Sequence, residues 1–416
     1  MNLLLVTQGY PYGESERGFL PTELEALRRQ CQVTLLALDN GEPLLYPPAK
    51  DVAYSRYSWP VKISLPLLFS QLRFAEVRAD LWRAIRSEKA NLHNVSARIV
   101  TYSLRAQQIR ALLRSIIRER HIDVVYTYWC VQATVAALRL KKEFPSLKVV
   151  TRFHGADLYR EQAPFACQPL RPFIAAGCDR LLFVCRTGME YFLSLWDGPW
   201  RAKAQVAYIG CRLLPRCDGL RLPGEALGLI SCSGLIPLKR VSLILDALAL
   251  VPAERAVDWH LLGDGELRAD LEKQAQALQT AHPNIRCTFH GHVPNPLLAE
   301  AYREAKAQLF ITTSESEGLP VSIMEAYSMG IPVIATAVGG IPEILEDGQS
   351  GFLLPANPTA ADVAGALERY WMLPREEKAV LSQNVYACWQ TLLNAGENAE
   401  ALARTLTGVW EGEGCP

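Results

Sequence analysis

No Cys-x-x-Cys pair occurs in the 416 residues, and the eleven cysteines are scattered and odd in number. That excludes a zinc ribbon or a dithiol redox motif and argues against a disulfide framework. Several thiols stand in apolar runs such as LLFVC and LISCS, where cysteine behaves as a small hydrophobe. A reduced, cytoplasmic chain is the expectation. Excess charge is also missing: 43 Lys and Arg balance 43 Asp and Glu, so no global field draws the protein to nucleic acid. No stretch reaches the roughly 20 apolar residues of a membrane span. The opening MNLLLVTQGYPYG has no basic leader and too short an apolar run for a secretory signal. Repeats of the solenoid kind are absent.

What is present is a globular mixture, 50% hydrophobic and 21% charged, on a chain long enough for two domains of roughly 200 residues each. Short β-branched or Leu-rich runs alternate with longer helical patterns. Strands are predicted near 3–7, 33–38, 124–128, 149–153, 181–184 and 205–209. A second series falls near 229–233, 259–262, 286–290, 308–312, 333–335 and 351–354. Continuous apolar strands separated by helices indicate parallel sheets covered on both faces. Two such series indicate an α/β chain of two Rossmann-like domains. Residues 210–228, rich in Gly, Pro and Arg, form the natural linker. The expected division is 1–209, 210–392, and a helix with tail at 393–416 that packs back toward the first domain. Ligands of such folds bind outside the carboxyl ends of the strands, so a cleft between facing domains is expected to be the working surface.

The densest local signal is SESEGLPVSIMEAYSMGIPVIATAVGGIPEIL, residues 314–345. It reads as strand end, turn, helix, strand and a Gly-Gly turn. Glu317 stands in the first turn, Pro320 suits the first helical position, and Glu325 follows with seven residues between the acids. Backbone N–H groups at a helix start can hold a diphosphate. Two acids there would repel it unless they accept hydrogen bonds from sugar hydroxyls. A nucleotide-sugar therefore suits the pattern better than a bare nucleotide.

This segment resembles the Glu-x7-Glu signature of the family 4 retaining glycosyltransferases, which have the GT-B fold. The resemblance implies that Glu317 holds the transferred sugar and Glu325 the nucleotide ribose, with Gly318, Leu319 and Pro320 beside sugar and phosphate. In SCSGLIPLKRVSLILDAL, Lys239 matches the family's lysine that neutralises the leaving diphosphate. The family's arginine position is Gly234 here, and Arg240 is the expected substitute. TRFHGADLY is similar to the family's His-Gly element, which gives His154 a sugar contact and Asp157 a weaker part. GYPYGESERGF occupies the place of the flexible acceptor-side loop, with Gly13 and Glu16 as its candidates. GDGELR, from Gly263, matches a Gly-x-Gly turn beside the nucleotide.

The resemblance implies transfer of a hexose-type sugar, with retention, from a nucleotide-diphosphate-sugar to a saccharide or lipid-linked acceptor in cell-surface polysaccharide synthesis. No cofactor beyond that co-substrate is expected. Asp-x-Asp, the usual metal-holding motif of the other main glycosyltransferase fold, occurs nowhere in the chain, so metal independence is expected too. The rival readings are a nucleotide-sugar 2-epimerase and a non-catalytic nucleotide-sugar-binding subunit. Residues 51–120 break the strand–helix alternation with thirteen basic against five acidic residues and interleaved Leu, Phe and Trp. This basic helical insertion is either a solvated face or a peripheral contact with anionic membrane at its inner surface.

Overall fold

Leu3, Leu4, Leu5 and Val6 are all shut away from solvent. A run with no polar face must be buried on both sides, which a parallel sheet between two helix layers provides. In the computed structural model this run is the centre of β1 (Asn2–Thr7). Its alternate side chains enter different cores: Leu4 and Val6 one, Leu3 and Leu5 the other. The structure describes residues 1–13, 16–38, 41–59, 65–87, 91–196, 198–216 and 225–413. The chain divides into two units, Met1–Ile209 with Gly396–Pro416, and Gly210–Ala395.

Unit 1 holds a seven-stranded sheet ordered β3-β2-β1-β4-β5-β6-β7. Its further strands are β2 (Gln32–Ala37), β3 (Ala53–Arg56), β4 (Val124–Thr127), β5 (Lys148–Phe153), β6 (Arg180–Phe183) and β7 (Ala204–Val206). All the pairings are parallel. The helix Ala395–Glu411 belongs to this unit, and its Leu402, Ala403, Leu406 and Val409 share a core with Leu3 and Leu5.

Unit 2 holds six parallel strands ordered β10-β9-β8-β11-β12-β13. They are β8 (Leu227–Cys232), β9 (Val257–Leu262), β10 (Ile285–Gly291), β11 (Leu309–Thr312), β12 (Val333–Thr336) and β13 (Gly351–Leu354). In each unit the first strand has neighbours on both sides, β1 between β2 and β4, β8 between β9 and β11. The strand order reverses there, and loops leaving the carboxyl ends part to make a ligand crevice.

The region 51–120 differs from its expectation as a wholly helical insertion. It opens with β3, a parallel edge strand on β2, before the helices Ala75–Ser87 and Leu92–Glu119. Four residues with only Ala and Tyr as apolar members carry too weak a pattern to announce a strand. Lys62, Glu88 and Lys89 of that region, and 217–224 of the expected linker, lie outside the described residues. Among the described residues no helix is long and apolar enough to cross a membrane.

Candidate active site

Because unit 2's strands are parallel, the motifs that follow them gather on one side. β8 stops at Cys232, and the chain passes Ser233 and Gly234 into the 3-10 turn Pro237–Lys239. Arg240 then adopts a left-handed conformation, φ 47°, before the helix Val241–Leu248. β11 stops at Thr312 and leads through Glu317 to the helix Val321–Ser328. β8 and β11 are the pair at the reversal, so the two turns flank it.

Across that point Lys239 Nζ donates to Glu317 Oε1 at 2.5 Å, with the side chains 22% and 13% exposed. Glu325, in the second turn of the helix Val321–Ser328, is buried. Burial pushes its pKa up to about 7, against a single opposing hydrogen bond from Asn295 Nδ2 at 2.9 Å. Burial and then the Glu325 charge push the Cys232 thiol up to about 12, which sets Glu325 near the end of β8. Asn295 belongs to a 3-10 turn after β10. In the sequence it shows only as the turn signal Asn-Pro.

Glycines let these turns touch backbone to backbone. Gly263 has φ 142°, and a Cβ there would sit 1.8 Å from the Ser233 carbonyl oxygen. A Cβ on Gly339, φ 55°, would sit 1.7 Å from the Glu317 carbonyl oxygen, and Gly340 N–H donates to Gly318 O at 2.7 Å. Leu319 is buried beneath this turn. Pro320 is the N-cap rather than the first helical residue: its ψ of 122° is extended, so the helix begins one residue later.

Gly234 faces the opposite situation, since a Cβ there meets nothing within 4 Å. Arg240 does not fill that space. Its Nε donates to Thr313 O, one terminal nitrogen to Asn357 Oδ1, and the other to Ser314 O and Ala356 O, all within 2.7–3.0 Å. The guanidinium braces the turn against β11 and leaves the expected second diphosphate cation without a substitute.

In unit 1 the corresponding loops follow β1, β4 and β5. His154 ends β5 as the N-cap of the short helix Gly155–Leu158. It is buried, with its ring 4.0 Å from that of Trp129 and 5.1 Å from that of Tyr128. Burial, then the Arg152 charge, hold its pKa well below the usual value, so the imidazole is neutral. Among the described residues neither ring nitrogen has a hydrogen-bond partner.

The acceptor-side candidates are buried and engaged within unit 1. Asp157 accepts from the backbone N–H of His154 and of Cys130, each at 2.6 Å, and so ties the β5 loop to the β4 loop. Glu16 is buried and accepts from the N–H groups of Gln8, Gly9 and Tyr10 at 2.9–3.0 Å and from Trp129 Nε1 at 2.6 Å. Gly13, φ 64°, donates its N–H to Pro43 O, while Tyr12 bridges to Leu44. Carboxylates placed within reach of free backbone donors bind them, and the loop is pinned as a result. Trp129 lies in no motif recognised from sequence, and Arg152, although inside TRFHGADLY, has no part assigned to it there; both shape the surroundings of His154.

Residues 220–387 match the family model described as glycosyl transferases group 1. Those residues belong to the group 1 glycosyltransferases. Among curated proteins, a D-inositol 3-phosphate glycosyltransferase of Thermomonospora curvata is 36% identical over 169 residues, 38% of each chain. A putative colanic acid biosynthesis glycosyltransferase, WcaL, of Salmonella typhimurium is 30% identical over 233 residues, 53% of this chain and 55% of that one. The chain thus spans about 38% and 55% of the length of these relatives. The fold is GT-B: sucrose-phosphate synthase of Thermosynechococcus elongatus superposes with a TM-score of 0.73 at 16% identity, covering 99% of this chain and 100% of that one. Anabaena HepE, in complex with UDP and glucose, superposes at 0.65 and 16% identity, over 98% and 100% of the two chains. Glu317, Glu325, Lys239, Gly234 and Gly263 all fall inside the group 1 segment.

The close approach at Gly263 has a direct consequence. Gly263→Ala should destabilise the group 1 segment by about 3 kcal/mol or more, since both the left-sided φ and the Ser233 carbonyl oppose a Cβ. Denaturant unfolding monitored at several wavelengths measures it, and an unchanged midpoint would contradict the packing.

Proposed function

We propose that the protein is a retaining glycosyltransferase that moves a hexose-type sugar from a nucleotide-diphosphate-sugar to a saccharide or lipid-linked acceptor. Cell-surface polysaccharide synthesis at the cytoplasmic side of the membrane is the proposed setting, in keeping with the colanic acid relative. The observation that carries the reading is the Lys239–Glu317 pair at the strand-order reversal. Without ligand each neutralises the other. A donor offers both a better partner: a diphosphate for the ammonium, and sugar hydroxyls for the carboxylate.

In this reading Lys239 and the free N–H groups at the start of Val321–Ser328 stabilise charge on the departing diphosphate. Glu317 orients the sugar, and Glu325 accepts from a ribose hydroxyl. His154 supplies a neutral imidazole to the sugar. The acceptor oxygen attacks the anomeric carbon on the face the diphosphate leaves. The acceptor's proton passes to the departing phosphate oxygen as the old bond breaks. Lys239 takes the place of a metal, so transfer is expected to survive chelation.

Three outcomes test this. Glu317→Ala should lower transfer at least about a hundredfold with the fold intact, measured with a panel of nucleotide-hexoses and lipid-linked acceptors. Retained full rate would remove Glu317 from the chemistry. Gly234→Arg should fold normally, because the space is open, and should tighten nucleotide-sugar binding about tenfold by adding the missing cation. Unchanged affinity would put the diphosphate elsewhere.

The third concerns pH. Ribose binding requires ionised Glu325, whose folded pKa is raised to about 7. Donor affinity should therefore fall as pH drops below about 7, approaching tenfold per unit. The sign for stability is opposite. The protonated side chain is the one burial favours, so its contribution is present at low pH and lost as pH rises through about 7. A nucleotide-sugar has no phosphate ionisation in that window. Calorimetry at several pH values should show the slope in wild type and a flat profile in Glu325→Gln; a slope in both would clear Glu325 of the role.

A further inference from the structure

Within unit 1, Leu67, Phe69, Leu72, Trp82 and Ile85 stand 40% to 69% exposed. Leu72, Trp82 and Ile85 come together in space, and Leu67 and Phe69 stand on the short helix Leu65–Phe69 that leads into the turn carrying Leu72. On the helix Ala75–Ser87 the inward side is Val77, Asp80 and Ala84, with Leu81 packed on the core. Trp82 and Ile85 each follow an inward residue and so are turned by about 100° from it, toward the side that carries Arg78 and Arg86. Arg78 donates to the carbonyls of Leu72 and Arg73, both at 2.8 Å, which fixes the 3-10 turn Ser70–Arg73 against this stripe. Leu72, Trp82 and Ile85 are thus neighbours on one surface with three guanidinium groups.

Charge is sorted across the same helix. Its acids turn inward: Glu76 accepts from Arg139 Nε at 2.9 Å, and Asp80 accepts from Leu170 N–H while pairing with Arg83. Among the described residues no carboxylate pairs with Arg73, Arg78 or Arg86. The Arg86 guanidinium lies 3.4 Å from the centroid of the Trp82 ring. An indole at headgroup depth with a guanidinium reaching to phosphate is the arrangement a lipid interface rewards. A second copy of the chain fits poorly, since a two-fold contact through this face would set arginine against arginine.

We propose that this surface docks unit 1 onto an anionic lipid bilayer, with Phe69, Leu72, Trp82 and Ile85 entering the acyl boundary and Arg73, Arg78 and Arg86 meeting phosphate headgroups. Docking needs no donor and no turnover, so it stands or falls separately from the transfer reaction.

Cosedimentation of the full chain with vesicles tests it, using phosphatidylcholine alone or with about a third phosphatidylglycerol. The protein should pellet with the anionic vesicles only, and less at high salt. Arg73→Glu with Arg86→Glu should lower the partition about tenfold or more. Trp82→Ser with Ile85→Ser should lower it comparably and abolish the lipid-induced blue shift of tryptophan emission. Circular dichroism and melting temperature should be unchanged in both, and the single changes Arg86→Gln and Ile85→Ser give the same readouts if a double variant fails to fold. Equal pelleting with neutral vesicles, no pelleting with anionic ones, or indifference to both variants overturns the proposal. A concentration-dependent dimer dispersed by Trp82→Ser would assign the face to a second copy instead.

Discussion

The arrangement of the group 1 segment depends on a lysine and a glutamate held 2.5 Å apart by two strand ends. They are 78 residues apart in sequence. What joins them is the parallel pairing of β8 with β11, Leu229 opposite Leu309 and Ile230 opposite Phe310. A slip of one residue would turn the side chains of either strand from one core to the other and carry the two strand ends out of line. The ion pair therefore depends on this register. Both partners are mostly covered by protein. Removal of either leaves the other with an uncompensated charge in a poorly solvated place, unless a ligand of the right sign replaces it.

Backbone contact does the rest of the positioning. The Ser233, Gly263, Glu317 and Gly339 turns lie against one another where no side chain can intervene. This makes the crevice floor stiff and leaves Gly234 standing beside open space. A missing arginine is then a local loss: the surroundings have not collapsed into its place. Arg240 cannot migrate to fill it, because four hydrogen bonds hold its guanidinium to backbone and Asn357.

The sheets were legible in the sequence because parallel strands are buried on both faces and read as unbroken apolar runs. β3 was not, since a four-residue edge strand with alternating half-exposed positions lacks that run. Glu317, Glu325 and Lys239 could be singled out in the sequence because they stand around glycine turns at a spacing that resembles the Glu-x7-Glu signature. Asp157 and Glu16 were recognised as polar loop residues, but not their direction. An acid just after a strand can face solvent or fold back on free N–H groups, and the choice depends on which neighbouring loop presents those groups. Cys130 N–H and Trp129 Nε1, which decide it, come from the loop after β4, distant in sequence. Asn295 and Trp129 sit in no repeating pattern at all, and Arg152 stands in a motif whose histidine drew the assignment.

His154 shows why such neighbours matter for chemistry. His154 follows the last residue of β5, two positions after Arg152; Arg152 is buried against Glu23 at 2.5 Å, with the rings of Tyr128 and Tyr126 5.3 and 5.9 Å from its guanidinium. A fixed positive charge two residues away, added to burial, keeps the imidazole from taking a proton. In glycosyl transfer the sugar carbon becomes positive as its bond to phosphate lengthens. An imidazolium beside it would oppose that change, whereas a neutral ring can donate one hydrogen bond and accept another. Burial and the arginine two residues earlier in the same motif therefore set the charge state that makes a histidine at this position compatible with the proposed reaction.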